Sequence, residues 1–372
     1  MKTKLAVVIM RAQQPTDAHF YLIRKALSVA EDVLVVLGST NRSLSTVNPF
    51  YYHQRVSLIK AGLKGLEHAR VQFKGSKDYV WLDDEWEGAV ERTVMNHLYH
   101  IMPVAKSMSD AHKHVVLVAH KKDKSTADYV EMFPKFKKNY VAPYLVSAGN
   151  GTDDRILLNA TDERRKFFVD GDVDSLYTPE SVKQALRDFM DSNREQYEYV
   201  QRRYAQIATA KKPYAGLQWG IKFITADPLV VCKGHVLLGK RAAGYGEGQW
   251  CIPGGYVEQD ELIDDAMTRE LYEETSIDIP DPAMKNAHKG TRKFEYVGRD
   301  ERGDFTTFCG LFVLHPSADG RLPKVKPQRE EITEVRWVPF ADLEGLAKHM
   351  FLDHYFIIEI MRRAQAINGN TL

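Results

Sequence analysis

Residues 254–277, GGYVEQDELIDDAMTRELYEETSI, carry the side chains best placed to do chemistry. Glu270, Glu273 and Glu274 stand at i, i+3 and i+4, a spacing that puts three carboxylates on one face of a helix. Carboxylates so placed repel one another unless a positive charge lies between them. A hard divalent cation held by carboxylates and substrate phosphates is the natural occupant. Arg269 can brace the cluster from four residues before Glu273, and Gly254 and Gly255 let backbone approach a helix or ligand closely. By charge pattern alone, the same residues also describe a solvated acidic face bearing an Arg–Glu pair.

The elements around this helix follow from periodicity. A helix is expected over Leu262–Glu274, after two extended runs within 223–241 that are broken at a Lys-Gly-His turn. Strands are expected at 294–300, 305–315 and 334–340, and a C-terminal helix at 352–366, which makes a mixed α+β unit. The earlier half alternates differently: strand 5–10, helix Phe20–Ala30, strand 33–39, helix Tyr52–Ala61, strand near 72, helix 87–102, strand 114–120 and helix 175–187. A βαβ start of this kind argues for an α/β, Rossmann-like parallel sheet with helices on its faces. The expected organisation is an N-terminal unit over 1–190, a helical connection and linker over 191–216, and a C-terminal unit over 217–372.

A chain of 372 residues with 44% hydrophobic and 27% charged side chains is long enough for two cores. Lys plus Arg number 51 against 50 Asp plus Glu, a formal charge of +1 that argues against nucleic acid as a partner. Cys232, Cys251 and Cys309 lack the spacing of a zinc site or disulfide framework. The Leu5–Met10 run is far below the ~20 apolar residues of a membrane helix, so a soluble, cytoplasmic protein without a membrane partner is expected. Apolar helical faces serve a core or an interface equally well, which leaves a homo-oligomer open.

The complete spacing from Gly255 through Glu261 to Arg269, Glu270, Glu273 and Glu274, with CIP ahead of the glycines, resembles the signature of the Nudix hydrolase family. Ser276 departs from it by standing where the family has Gly. The resemblance implies hydrolysis of a nucleoside diphosphate linked to another group, with Mg²⁺, or Mn²⁺ in its place, as cofactor. It implies Glu270 and Glu274 as principal metal ligands, Glu273 as a further ligand or the group that orients water, and Gly255 and Arg269 among the binding residues. Glu261 reads either as a support for the site or as the carboxylate favoured at a helix start. Trp250 reads either as a stacking surface for a base or as packing.

In the first half, MRAQQPTDAH (10–19) resembles a nucleotidyltransferase loop of the HxGH or TxGH type, with Thr16 and His19 at the two key positions. VLGS (36–39), NPFYYHQR (48–55), VAHKKD (118–123) and MFPKF (132–136) follow in the order found in archaeal-type nicotinamide mononucleotide adenylyltransferases. LNATDER (158–164) falls where that family has its SSTxxR phosphate loop, keeping Thr161 and Arg164. The resemblance implies adenylyl transfer from ATP to nicotinamide mononucleotide, giving NAD and pyrophosphate. His19, Thr16 and Arg164 would act on the phosphates, with Arg11, Arg55, His120 and Thr161 at binding positions. Met10, Ala12, Gln14, Ala18, Asn159 and Ala160 depart from the family pattern, and Ala18 adds a methyl where backbone and phosphate pack closely. In series, the two resemblances are similar to enzymes that fuse such an adenylyltransferase to a Nudix domain acting on ADP-ribose. The alternative is a Nudix pyrophosphatase whose N-terminal domain is degenerate and only binds nucleotide.

Overall fold

The apolar run beginning at Leu5 forms β1 (Thr3–Met10), the middle strand of a five-stranded sheet in the computed structural model. Residues 2–120, 128–147, 155–328 and 330–367 are described, and the chain divides into two units, Met1–Arg202 and Arg203–Leu372. Among the described residues no helix is long and apolar enough to cross a membrane.

In the first unit, β1 is followed by α1 (Asp17–Val29), β2 (Ala30–Leu37), α2 (Tyr52–Gly62), α3 (Glu67–Arg70) and β3 (Val71–Gly75). Then come α4 (Asp83–Ile101), β4 (Val115–His120), α5 (Asp128–Glu131) and β5 (Lys137–Val141). All neighbours in the order β3-β2-β1-β4-β5 pair in parallel. This is the Rossmann-like α/β arrangement expected, and its strand order reverses between β1 and β4, the switch point where such sheets bind ligands. Val90, Val94 and Leu98, at i, i+4 and i+8 of α4, bury against Leu5, Val7, Leu34 and Val36. Each such side chain contributes about 1.5–3 kcal/mol of burial. Two short strands, β6 (Leu145–Ser147) and β7 (Arg155–Leu157), pair antiparallel. The unit continues with α6 (Ala160–Arg165) and α7 (Glu180–Ser192), and α8 (Arg194–Lys211) carries the chain past the division. The helix expected at 175–187 starts later, at Glu180. Thr178 is tied to the Pro15 carbonyl at 2.9 Å, and Pro179 takes the N-cap with extended ψ of 146°.

In the second unit, β8 (Lys222–Cys232) and β9 (His235–Arg241) form a hairpin. It turns at Lys233 and Gly234, both with positive φ (49° and 72°), as a tight two-residue turn requires. There follow β10 (Trp250–Cys251), β11 (Gly255–Tyr256), α9 (Ile263–Thr275), α10 (Asp281–Ala287), β12 (His288–Phe294), β13 (Asp304–Leu314), β14 (Ile332–Pro339), α11 (Leu343–Leu346) and α12 (His354–Ile367). β8 and β13 pair in parallel along their whole length, while the other pairings are antiparallel, so the sheet is mixed. Ala266, Met267 and Leu271 of α9 bury against Ala226, Val230 and Leu237 of the sheet. The strand expected at 294–300 is corrected: β12 ends at Phe294, and 295–300 turns back with Gly298 at φ 79° and Arg299 N–H donating to the Tyr296 carbonyl. That turn buries Arg299 and Asp300.

Candidate active sites

In the second unit, α9 presents its carboxylates beneath the 254–256 segment. A Cβ on Gly255 would lie 2.5 Å from Glu270 Oε1, and one on Gly254 (φ 146°) 2.5 Å from the Ala226 carbonyl, so both glycines are needed for the approach. Gly254 N–H donates to Glu274 Oε2 at 2.9 Å. Arg269 is the brace. Its Nε and Nη2 donate to the two oxygens of Glu261 at 2.7 and 3.0 Å, and its Nη1 reaches Glu270 at 2.9 Å and Glu273 at 3.0 Å. Glu261 in turn accepts the Glu258 N–H, so it ties the turn ahead of α9 to Arg269. The bidentate bond to Arg269 holds its carboxyl below the usual range.

Glu270 and Glu274 are buried, and Glu273 is exposed. Burial raises the Glu270 carboxyl, and it pushes Glu274 up to about 8. The carboxylates that meet are Glu270, Glu274 and Glu331, each offering an oxygen within 4.8 Å of the others. Glu331 thus takes the place that helix spacing alone would give Glu273, whose carboxylate is instead turned to Arg269. Two buried carboxyls with raised proton affinity, joined by a third, fit a divalent cation, which would offset their repulsion.

These groups line a cavity of about 810 Å³, within the range of small-molecule sites. Arg241, Arg299, Asp300, Arg302 and His354 line the same cavity. Arg299 is buried and bonds Asp353 through Nε and Nη2 at 2.9 and 2.8 Å. Asp227, fully buried nearby, is pushed up to about 7 by burial, against the pull of Arg299. Tyr256 and Phe305 give the cavity an aromatic wall, backed by Phe223, which stacks on Phe305 at 4.8 Å. Trp250 is buried in β10 between Lys240 and Arg336, which is the packing reading of that residue. Sequence reasoning missed Glu331, Asp227, Arg299, Asp300, Arg302 and His354. Only Glu331 had a readable signal, an acidic pair just ahead of a strand.

In the first unit, Thr16 caps α1 and pairs with His19: Thr16 N–H donates to His19 Nδ1 at 3.1 Å, and Thr16 Oγ1 lies 2.8 Å from the same nitrogen. The proton of the neutral ring is therefore assigned to Nε2. Arg164 Nη2 donates to Thr161 Oγ1 at 3.0 Å on α6, and Asn159 caps that helix by accepting Thr161 N–H. The two groups are tied together: Asp17 N–H donates to the Tyr177 carbonyl, and Tyr177 N–H to Glu163 beside Arg164. Leu158 also packs on Ala18. His120 stacks on Tyr21 and lies 3.2 Å from the Ala18 carbonyl through Nε2. Arg11 is exposed. Arg55 is fully buried, and its Nη1 clamps the carbonyls of Arg11 and Gly38 at 2.7 and 2.8 Å, so its cation holds the β1 and β2 loops together. Burial lowers its proton affinity to about 10. Gln13 braces the same loop through Asn48 and the Phe50 N–H. Lys121, Lys122 and Asp123 of the VAHKKD segment lie outside the described residues.

The mixed sheet, the α9 carboxylates and the glycine approach define a Nudix fold. The chain belongs to the Nudix family, its residues 224–359 matching the NUDIX domain, and it is 41% identical over 116 residues to the oxidized purine nucleoside triphosphate hydrolase of Danio rerio, covering 31% of this chain and 68% of that protein. Both units together match the crystal structure of a bifunctional NMN adenylyltransferase/ADP ribose pyrophosphatase from Francisella tularensis, complexed with AMP and a Mn ion. The TM-score is 0.83 at 25% identity, over 97% of this chain and 99% of that one. The first half is also 27% identical over 198 residues to the nicotinamide/nicotinic acid mononucleotide adenylyltransferase of Acinetobacter baylyi, covering 53% of this chain and 92% of that protein.

Proposed function

We propose that the chain is a bifunctional enzyme of nicotinamide nucleotide metabolism acting on soluble substrates in the cytoplasm. The first unit transfers AMP from ATP to nicotinamide mononucleotide, yielding NAD and pyrophosphate. The second hydrolyses ADP-ribose to AMP and ribose 5-phosphate. The observation that carries the reading is the full-length likeness, with both units in the same order as in the Francisella enzyme, joined to a carboxylate cluster suited to a cation.

For the transfer, the acting groups are the Thr16–His19 pair and the Thr161–Arg164 pair, a reading supported by the backbone link from Asp17 through Tyr177 to Glu163. Their donors suit the ATP phosphates, and catalysis is by positioning and charge stabilisation as the mononucleotide phosphate attacks the α-phosphorus. For the hydrolysis, Glu270, Glu274 and Glu331 would hold Mg²⁺, while Arg269 fixes Glu270 and keeps Glu273 turned along the helix. A bound Mg²⁺ supplies Lewis-acid neutralisation of the pyrophosphate oxygens and a more acidic attacking water. The phosphates would bind in this cavity, which Arg241, Arg299 and Arg302 also line, and Tyr256 and Phe305 offer a surface for the base.

A second reading, in which the first unit only binds nucleotide, is favoured by Ala18 in place of glycine, whose methyl is buried in the first turn of α1 beside His19. Incubating the full chain with ATP, nicotinamide mononucleotide and Mg²⁺ separates the two. NAD formation lost in His19→Ala supports the transferase, whereas ADP-ribose cleavage without NAD formation leaves the hydrolase alone.

A further inference from the structure

The 350–354 corner is unusually well pinned. Phe351 N–H donates to the Trp250 carbonyl at 2.7 Å, Arg299 grips Asp353, and Leu352 is held at φ 45°. The corner delivers His354, 5% exposed, to the wall of the cavity. Ile252 N–H donates to His354 Nδ1 at 3.0 Å. A backbone N–H has only its own proton to offer, so Nδ1 is bare and the ring proton sits on Nε2. Among the described residues no group accepts that proton. The charged groups facing the ring are Arg299, Arg241, Asp300 and Arg302. Burial, and after it the guanidiniums, hold the imidazole well below its usual proton affinity, so it stays neutral.

We propose that His354 is a substrate-binding residue of the Nudix site, donating its Nε2–H to a diphosphate oxygen of the bound nucleoside diphosphate compound. This rests on the hydrolase reading above. The diphosphate is the acceptor that the surroundings favour. Ile252, which fixes the ring, lies two residues before Gly254, whose N–H holds Glu274. Arg241 and Arg299, which act on the ring electrostatically, line the same cavity. A neutral donor locked in one tautomer is preorganised, so no ordering is lost on binding.

Two variants separate binding from scaffolding. In His354→Asn the side-chain oxygen can still accept the Ile252 N–H, but nothing replaces the Nε2 donor. In His354→Gln the amide NH₂ reaches the Nε2 position, but the acceptor for Ile252 is lost. The KM and kcat for ADP-ribose are measured on the full chain with Mg²⁺. The expected result is a KM raised about tenfold to a hundredfold in His354→Asn, the worth of one hydrogen bond to a charged group, with kcat changed less than about threefold. His354→Gln should stay within about threefold of the wild-type KM. A purely structural histidine gives the reverse order, and a wild-type KM in His354→Asn overturns the proposal. Should the Asn variant lose its fold by thermal melt, the imidazole ¹⁵N–H signal of the wild type decides instead. It should shift on adding ADP-ribose with Ca²⁺, and an unmoved signal in a sample that binds the ligand overturns the proposal. If the wild type spares ADP-ribose but cleaves another nucleoside diphosphate compound, that reading of the substrate fails and the same variants are scored on the compound cleaved. A wild type that cleaves none overturns both.

Discussion

Replacing Glu274 by Gln keeps the shape of the side chain and an acceptor for the Gly254 N–H while removing a carboxyl that burial pushes from 4.5 to about 8. The folded protein therefore holds a proton that the unfolded chain releases near pH 4.5. The stability linked to that proton is fully present below 4.5 and is lost as pH rises towards 8. At 1.36 kcal/mol per pH unit, the loss has an upper limit of about 5 kcal/mol. Glu270 titrates in the same cluster and shares the effect, so a difference of about 1–3 kcal/mol is the working expectation. Glu274→Gln should match the wild type at pH 4.5 and be more stable at pH 8 by that amount, roughly 2–12 °C for a unit of this size. The assay is thermal unfolding of the full chain in chelator at several pH values, with the C-terminal transition identified as the one that Mn²⁺ raises. Saturating Mn²⁺ should reverse the order of the two proteins at pH 8, because the cation takes over the charge that the proton neutralised. A variant less stable than wild type at pH 8 in chelator, or a difference that ignores pH, would refute the reasoning.

Ser276 ends α9 at φ 41° and ψ 39°, a left-handed conformation that costs a side chain about 1–2 kcal/mol. Ser276→Gly should therefore raise the melting point of the C-terminal transition, and an unchanged or lowered value counts against the strain. Glu331→Gln should weaken Mn²⁺ binding about tenfold or more, as followed by electron paramagnetic resonance titration, because Glu331 shares the carboxylate cluster. Glu273→Gln should weaken it less, since its carboxylate is not among the three whose oxygens come together; the opposite ranking would return Glu273 to the set of ligands.

What could be read in the sequence is what one element encodes by itself. Glu270, Glu274 and Arg269 sit at helical spacing within a single helix, so their common face follows from the rise and turn of the backbone. The same holds for Thr16 and His19, which a cap and its third residue bring together. The parallel sheet was legible because apolar runs separated by amphipathic helices leave few alternatives. The other half of the Nudix cavity has no such local code. Arg299 and Asp300 lie in a turn that reads as strand because Phe294, Tyr296 and Val297 carry β-forming side chains, and Gly298 alone hints at the reversal. Glu331 and His354 enter from 56 or more residues beyond the end of α9 at Thr275, from just before β14 and from the corner before α12. Arg55 shows a different case, since a cation in a nucleotide-binding loop suggests phosphate by its charge, while its Nη1 is committed to two backbone carbonyls at the ends of β1 and β2, a clamp that the sequence does not announce. Charge type thus predicts chemistry only where the fold leaves the group facing a cavity. The carboxylates of α9 and the imidazole of His354 line such a cavity, whereas Nη1 of Arg55 is spent on holding two loops together.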